Sequence, residues 1–350
     1  MAGAGALVSL DCIVLGLQRF GGISNYWNRL LRHTAGTGGR VPGLVMPKTV
    51  TSVEFDPRTR AGRAVLDESL PPGISRYLPA PMLPGTQVFH TSYYRRPRRR
   101  VRKQLVSVYD FTYERYRGGL ARHVHSWQKL SSIREADAVL CISAATRQDV
   151  LEFCPSVDPA CVHVVPLGVD TTTFHPDRVS HAGGDIVLFV GQRQGYKRFD
   201  LAVEALVQLP MLRLGIVGPA LTAQERQSLV DRLGTRWQAY GPVDSDRLRQ
   251  LYSSAFAFIF PSDYEGFGLP VLEAMACACP VVAAARSSLP EVGGPAALYA
   301  TEQRADDYAG ALQQLFDRTA RDRLVADGLQ RARLFDWANT FEQTLEHYRS

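Results

Sequence analysis

Residues 265–282 read EGFGLPVLEAMACACPVV, and they follow an apolar run, AFAFIF at 255–260, that Pro261 closes. The run reads as a buried strand, because a parallel sheet covered on both faces needs near-continuous apolar residues. Gly266, Phe267 and Gly268 then form a turn, and Pro270 suits the opening of a helix over 270–278. Strand, glycine turn and helix N-terminus bring free backbone N–H groups and the helix dipole together, a ready site for phosphate. Glu265 stands in the loop and Glu273 eight positions later on the helix. Carboxylates so placed can hold neutral hydroxyls beside the phosphate, and a sugar nucleotide offers both groups at that spacing.

Outward from this block, the pattern of strand then helix repeats. In the second half, strands are expected at 186–190, 212–217 and 281–284, with helices at 200–206, 223–233 and 246–253. In the first half, 7–15, 87–91, 105–109, 138–142 and 162–165 read as strands, and 21–32, 124–135 and 145–153 as helices. Such alternation implies a parallel sheet with helices on both faces. Residues 50–85 are rich in proline, arginine and glycine and read as an irregular excursion. The polar, glycine-containing stretch 177–185 is the expected linker, so the reading is one α/β domain over 1–176 and a second over 177–336.

At 350 residues the chain is too long for one compact core. Its 45% hydrophobic and 21% charged content is that of an ordinary globular protein. No segment has the eighteen or more apolar residues of a membrane helix. The apolar run at 6–17 is interrupted by Asp11 and has no basic residue before it, so it reads as a first strand rather than a signal peptide. Six cysteines show neither a C-x-x-C pair nor metal spacing, and reduced, packed thiols in a cytoplasmic protein are expected. The formal charge of +6 is concentrated at 95–103, RRPRRRVRK. The run reads as a solvated loop or as a peripheral contact with anionic lipid or a phosphorylated acceptor. No nucleic-acid-binding motif accompanies it, so nucleic acid is not expected as a partner.

A nicotinamide-dependent oxidoreductase would carry G-x-G-x-x-G between a strand and a helix, and no such run exists; Gly3-Ala4-Gly5 precedes the first strand. The 265–282 block instead resembles the E-x7-E motif of the retaining GT-B glycosyltransferases of family 4. The resemblance extends from the Phe20-Gly21-Gly22-Ile23 turn through FVGQRQGYKRF at 189–199 to FDW at 335–337. It implies two Rossmann-like parallel-sheet domains facing across a cleft, with the last helix, 337–350, packing back onto the first. It also implies a metal-independent enzyme without cofactor, moving a sugar from a nucleoside diphosphate to an acceptor hydroxyl with retained configuration.

The roles the resemblance implies are these. Arg193 and Lys197, after Gly191, contact the diphosphate; the plainer alternative is two solvated cations. Glu273 accepts from the ribose hydroxyls and Glu265 from those of the donor sugar, while Gly266, Phe267, Gly268 and Leu269 offer backbone donors. The alternatives are a first-turn acid and an exposed loop charge. Gly21 and Gly22 can turn amides toward the donor phosphates or simply make a turn. Many members read His-Asp where this chain reads Tyr109-Asp110, which removes one histidine contact. Asp110 remains a candidate for positioning acceptor or donor, or a strand cap. His90, Tyr93 and Tyr94 are candidates for the acceptor side, although a buried, satisfied histidine is the bland alternative for His90. Asp244-Ser245-Asp246 spells D-x-D but sits before a helix, where Asp acts as an N-cap. The expected acceptor is a glycan, a lipid-linked intermediate of surface polysaccharide assembly or a small molecule. The rival readings are a degenerate GT-B binding subunit and another GT-B enzyme such as a sugar-nucleotide epimerase.

Overall fold

The computed structural model describes residues 7–19, 21–36, 42–177, 184–193 and 195–349. The chain divides into two compact units, Met1–Leu167 with Trp337–Ser350, and Gly168–Asp336. The Gly3-Ala4-Gly5 run, Phe20 and most of the expected linker lie outside the described residues.

Among the described residues of the first unit, seven strands form one parallel sheet: β1 Leu7–Asp11, β2 Gly43–Met46, β3 Val65–Asp67, β4 Thr86–Thr91, β5 Lys103–Val108, β6 Ala138–Cys141 and β7 Val162–Val164. Their order is β3-β2-β1-β4-β5-β6-β7. β1 stops at Asp11 rather than running to 15, and residues Val14–Leu17 form a single helical turn. Asp11, the last residue of the strand, enters an ion cluster. The Arg95 guanidinium donates to both Asp11 oxygens (3.0 and 2.8 Å) and to both Glu68 oxygens (2.6 and 3.2 Å). The Thr91 hydroxyl adds a bond of 3.1 Å to Asp11. Asp11 and Arg95 have fully buried side chains, a state that only pairing makes tolerable. Burial raises the Asp11 carboxyl, opposed by Arg95. The stretch 50–85 is less irregular than its composition suggests. β3 pairs in register with β2, Leu44 opposite Val65, at the sheet edge.

The helix Trp337–Arg349 belongs to this first unit. It lies on the helix Gly22–Gly36, where the Tyr26 ring meets Phe341 (5.8 Å) and Trp337 (6.2 Å). The Thr340 hydroxyl donates to the Pro166 carbonyl at 2.7 Å.

Among the described residues of the second unit, six strands form a parallel sheet: β8 Ile186–Val190, β9 Arg213–Val217, β10 Trp237–Gly241, β11 Ala257–Phe260, β12 Val281–Ala284 and β13 Leu298–Ala300. The order β10-β9-β8-β11-β12-β13 is that of a doubly wound nucleotide-binding sheet. Phe189, Leu214 and Ile259 from the strands pack with Leu206, Tyr308 and Leu312 from the helices in its core. The boundary between units falls at 167/168, ahead of the polar stretch. Residues 168–177 are held by the second unit: the Val169 amide donates to Phe335 O (3.0 Å), Phe174 packs edge-on to Tyr252 and Asp177 pairs with Arg249.

Candidate active site

β8 and β11 are neighbours whose connections leave in opposite directions, so the loops beyond their carboxyl ends flank the switch point of the second sheet. After β8, Gly191 takes φ +130° and donates its amide to Val217 O at 2.9 Å. Opposite it, a Cβ at Gly218 would stand 2.3 Å from Gly191 O, so only glycine lets the β8 and β9 loops meet. The Tyr196 carbonyl accepts the Asp263 amide at 2.8 Å and ties the β8 loop to the β11 loop.

That tie brings two of the sequence candidates together. Lys197 Nζ donates to Glu265 Oε1 at 2.5 Å. Their side chains are only 17% and 14% exposed, and the ammonium also lies 5.4 Å from the Phe260 ring centre. The Glu265 backbone is fixed from below. Its carbonyl accepts the hydroxyls of Ser287 (2.6 Å) and Ser288 (2.9 Å), and Ser288 also donates to Phe267 O at 2.8 Å. Gly268 follows at φ +97°, where a Cβ would press within 2.8 Å of Leu289. The helix Leu269–Ala276 then starts with a proline in its first turn, and the Val271 amide closes back on Gly268 O at 2.9 Å. Glu273 is half-buried on this helix. Burial, then the Glu273 charge, pushes the Tyr252 phenol well above its usual range. Lys197, Glu265 and the start of the helix that carries Glu273 thus follow one another in the loops beyond β8 and β11.

Arg193 is placed elsewhere. Its Nε donates to Glu225 Oε1 at 2.7 Å, and its Nη2 to Glu225 Oε2 at 3.3 Å and to the Ala220 carbonyl at 3.0 Å. The side chain is 5% exposed. Glu225 is also the third helical residue of a capping box, accepting the Thr222 amide at 2.7 Å while its own amide donates to Thr222 Oγ1. The Arg193 hydrogen bonds, aided by Thr222, hold the Glu225 carboxyl down at about 2. The guanidinium thus braces the loop that carries Lys197 through its bonds to Glu225 and the Ala220 carbonyl. Sequence reading saw the helix 223–233 but gave Glu225 no partner; the signal available was Thr222-x-x-Glu225, which marks a capping box.

In the first unit, Gly21 and Gly22 open the helix Gly22–Gly36, and the Gly21 carbonyl accepts from Asn25 N. Asp110 follows β5; its Oδ1 accepts the Thr112 amide at 2.9 Å, and its carbonyl accepts Lys129 Nζ at 2.8 Å. Lys129 is itself buried on Glu114 (2.7 Å), whose carboxyl, despite burial, is held at about 2 by His125, Lys129 and Ser126. Tyr93 is partly exposed beneath the Arg76 guanidinium. Tyr94 and His90 lie in the interior of the first unit. Tyr94 is buried at φ +57°. His90 is fully buried, bonded to Tyr348 Oη (2.7 Å) and Ser107 Oγ (2.8 Å), and burial lowers it to about 3. It is a packing histidine that anchors the last helix. Tyr109, in the place of the family histidine, accepts a bond of 2.6 Å from Trp27 Nε1. Asp244 caps its helix by accepting the Arg247 amide at 2.8 Å.

Residues 170–330 match the family described as Glycosyl transferases group 1, and residues 20–173 match Glycosyltransferase Family 4. The chain belongs to glycosyltransferase family 4. Among its relatives, alpha-maltose-1-phosphate synthase of Mycolicibacterium smegmatis is 35% identical over 259 residues, 65% of this chain and 66% of that protein. O-antigen chain mannosyltransferase B of Escherichia coli is 39% identical over 172 residues, 46% of this chain and 45% of the relative. The matches thus span less than two thirds of these relatives. Two solved structures carry the same GT-B fold. Sucrose-phosphate synthase from Thermosynechococcus elongatus has a TM-score of 0.77 at 22% identity, covering 98% of each chain. Anabaena HepE in complex with UDP and glucose has 0.72 at 15%, covering 97% of this chain and 98% of HepE. As a member of this family, the chain carries the E-x7-E pair and Lys197 beside the switch point of its second sheet.

Proposed function

We propose that the protein is a retaining, metal-independent glycosyltransferase that moves a hexose from a nucleoside diphosphate sugar to an acceptor hydroxyl. The observation that carries this reading is the junction of Lys197 and Glu265 beside the helix N-terminus at Leu269. Lys197 and the amides from Gly266 to Leu269 receive the charge that grows on the leaving diphosphate, the role a divalent cation fills in other designs. Fixed donors of this kind contribute about 3–4 kcal/mol each to a transition state. Glu273 takes the ribose hydroxyls and Glu265 those of the sugar. Both carboxylates are committed to binding, so the acceptor attacks on the leaving-group face and a diphosphate oxygen takes its proton. Asp110 and the partly exposed Tyr93 serve the acceptor, and the Gly21-Gly22 turn offers amides to the donor phosphates. The acceptor is read as a phosphorylated or lipid-linked glycan handled in the cytoplasm. The relative named alpha-maltose-1-phosphate synthase, by name a maker of a sugar phosphate, favours an anionic group on it.

The test is a thermal-shift panel of UDP, GDP, dTDP, ADP and CDP, since a ligand of the folded state raises the melting point according to its affinity. One nucleotide is expected to shift the melt, and Glu273→Ala to abolish that shift. No shift with any nucleotide would favour a binding subunit without catalysis and defeat the proposal. Hydrolysis or epimerisation of the donor in place of transfer would move it to another GT-B activity.

A further inference from the structure

The run RRPRRRVRK at 95–103 has no part in the site above, and the structure divides it. Arg95 is locked in the buried cluster with Asp11 and Glu68, and Lys103 is drawn into β5. What remains outward is Arg98, Arg99, Arg100 and Arg102, all exposed. This loop is pinned to the segment before β4: the Ala80 amide donates to Arg96 O (2.8 Å) and the Arg98 amide to Ala80 O (3.0 Å).

The same segment presents large apolar side chains to solvent. Ile74, Tyr77 and Leu78 are 56%, 56% and 45% exposed. Beside them, on the helix Gly119–Glu135, Trp127 is 63% exposed and Val124, one turn earlier, 39%. Tyr77, Leu78, Arg96 and Trp127 line one shallow depression of about 60 Å³. The surface is built rather than loose. The Gln128 amide donates to Arg76 O at 2.5 Å, Arg76 stacks over the Tyr77 ring (5.0 Å), and Arg96 pairs with Glu135 (2.5 Å).

We infer that this face of the first unit docks onto an anionic lipid surface. Trp and Tyr favour the headgroup level of a bilayer, with the apolar ring inward and the polar edge in water. Arginines close to an anionic surface each add binding that fades within a Debye length. The surface joins these two elements, aromatic and aliphatic side chains beside four outward arginines whose charge complements lipid phosphate. Neither alone gives firm attachment; together they supply the two signals that reversible anchoring requires. The inference goes beyond glycosyl transfer and does not depend on it, because docking is read without substrate.

The experiment is co-sedimentation of the whole chain with phosphatidylglycerol-containing vesicles and with pure phosphatidylcholine vesicles. The chain is expected to pellet with the first and stay in solution with the second, and to be released by about 0.5 M salt, where the Debye length falls to a few ångströms. Removing Arg98, Arg99 and Arg100 together should weaken partitioning roughly fivefold per arginine, and Trp127→Ala should weaken it about tenfold. These side chains are exposed, so melting temperature and nucleotide-induced shift should stay as in the parent and report an intact fold. Failure of the parent to pellet with anionic vesicles, or equal pelleting by both variants, overturns the inference. So does self-association abolished by Trp127→Ala with no vesicle binding, which would make a second copy the occupant of this face.

Discussion

If Lys197 must leave Glu265 to meet a diphosphate, then neutralising Glu265 has opposite effects on two ligands. The Glu265 carboxylate holds the Lys197 ammonium at 2.5 Å, with both side chains more than four-fifths buried. Exposed ion pairs contribute about 0–1 kcal/mol and fully buried ones cost about 3–5 kcal/mol to break. A pair this sheltered falls between, at about 1–2 kcal/mol. A bare nucleoside diphosphate draws Lys197 away and gives Glu265 nothing in return. Glu265→Gln removes that competition, so the free diphosphate is expected to bind about 5–30-fold more tightly. The full sugar nucleotide supplies hydroxyls that compensate the carboxylate, so its affinity should rise little or fall, and the turnover rate should drop about a hundredfold or more. Isothermal titration of both ligands into the parent and the variant, with initial rates alongside, measures the difference. A variant that binds the bare diphosphate no more tightly than the parent would refute the reasoning, because Lys197 would then not be shared between carboxylate and phosphate.

Replacing Glu225 by Ala strands the buried Arg193 guanidinium and removes a cap, and should cost about 2–4 kcal/mol in a denaturant melt; Glu225→Gln, which keeps the cap, should cost less yet still lower the turnover rate. Because the Glu225 carboxyl is held at about 2, its contribution is present above the ordinary carboxylate range and is lost as pH falls toward 2, which a pH series of melts on parent and Glu225→Gln would reveal. His90, lowered to about 3 by burial, stays neutral in the fold while the unfolded chain takes a proton below about 6.5. Stability should therefore decline by up to about 1.4 kcal/mol per pH unit between those limits, on top of a similar effect from His347, held at about 4; His90→Gln should flatten the slope. Arg95→Met leaves Asp11 and Glu68 buried together without a cation and should lower unfolding free energy by about 3–5 kcal/mol, measured by urea titration with nucleotide binding as the control for the second unit.

The sequence carried its signal where chemistry and geometry are local. β8, β12 and the helix Ala223–Leu233 stand at the expected residues, because each is an uninterrupted apolar run or periodic stretch closed by a turn residue. Edge strands β3 and β10 were not legible. β10, WQAYG, has no fully buried residue, and β3 is three residues long, so both owe their form to a neighbour rather than to their own pattern. The site divides in the same way. Glu265, Gly266 and Gly268 are fixed by the turn in which they occur, and Lys197 by its loop. The Glu225 partner of Arg193 was not legible because it lies thirty-two positions on, and a cation reads alike whether it faces a ligand or a carboxylate. His90 depends on Tyr348, 258 residues away, a separation that no periodicity spans.

The placement of the last helix has a consequence for the order of events on the ribosome. The second unit runs unbroken from Gly168 to Asp336, and the Val169–Phe335 hydrogen bond closes it upon itself. It is complete once its final residue clears the exit tunnel. The first unit begins earlier but finishes later, because Tyr26, His90 and Pro166 wait for Phe341, Tyr348 and Thr340 to cover them. The half synthesised first is thus the last to mature, and a nascent chain cut short before Trp337 would emerge with a finished second unit and a first unit whose apolar surface stays open to chaperones.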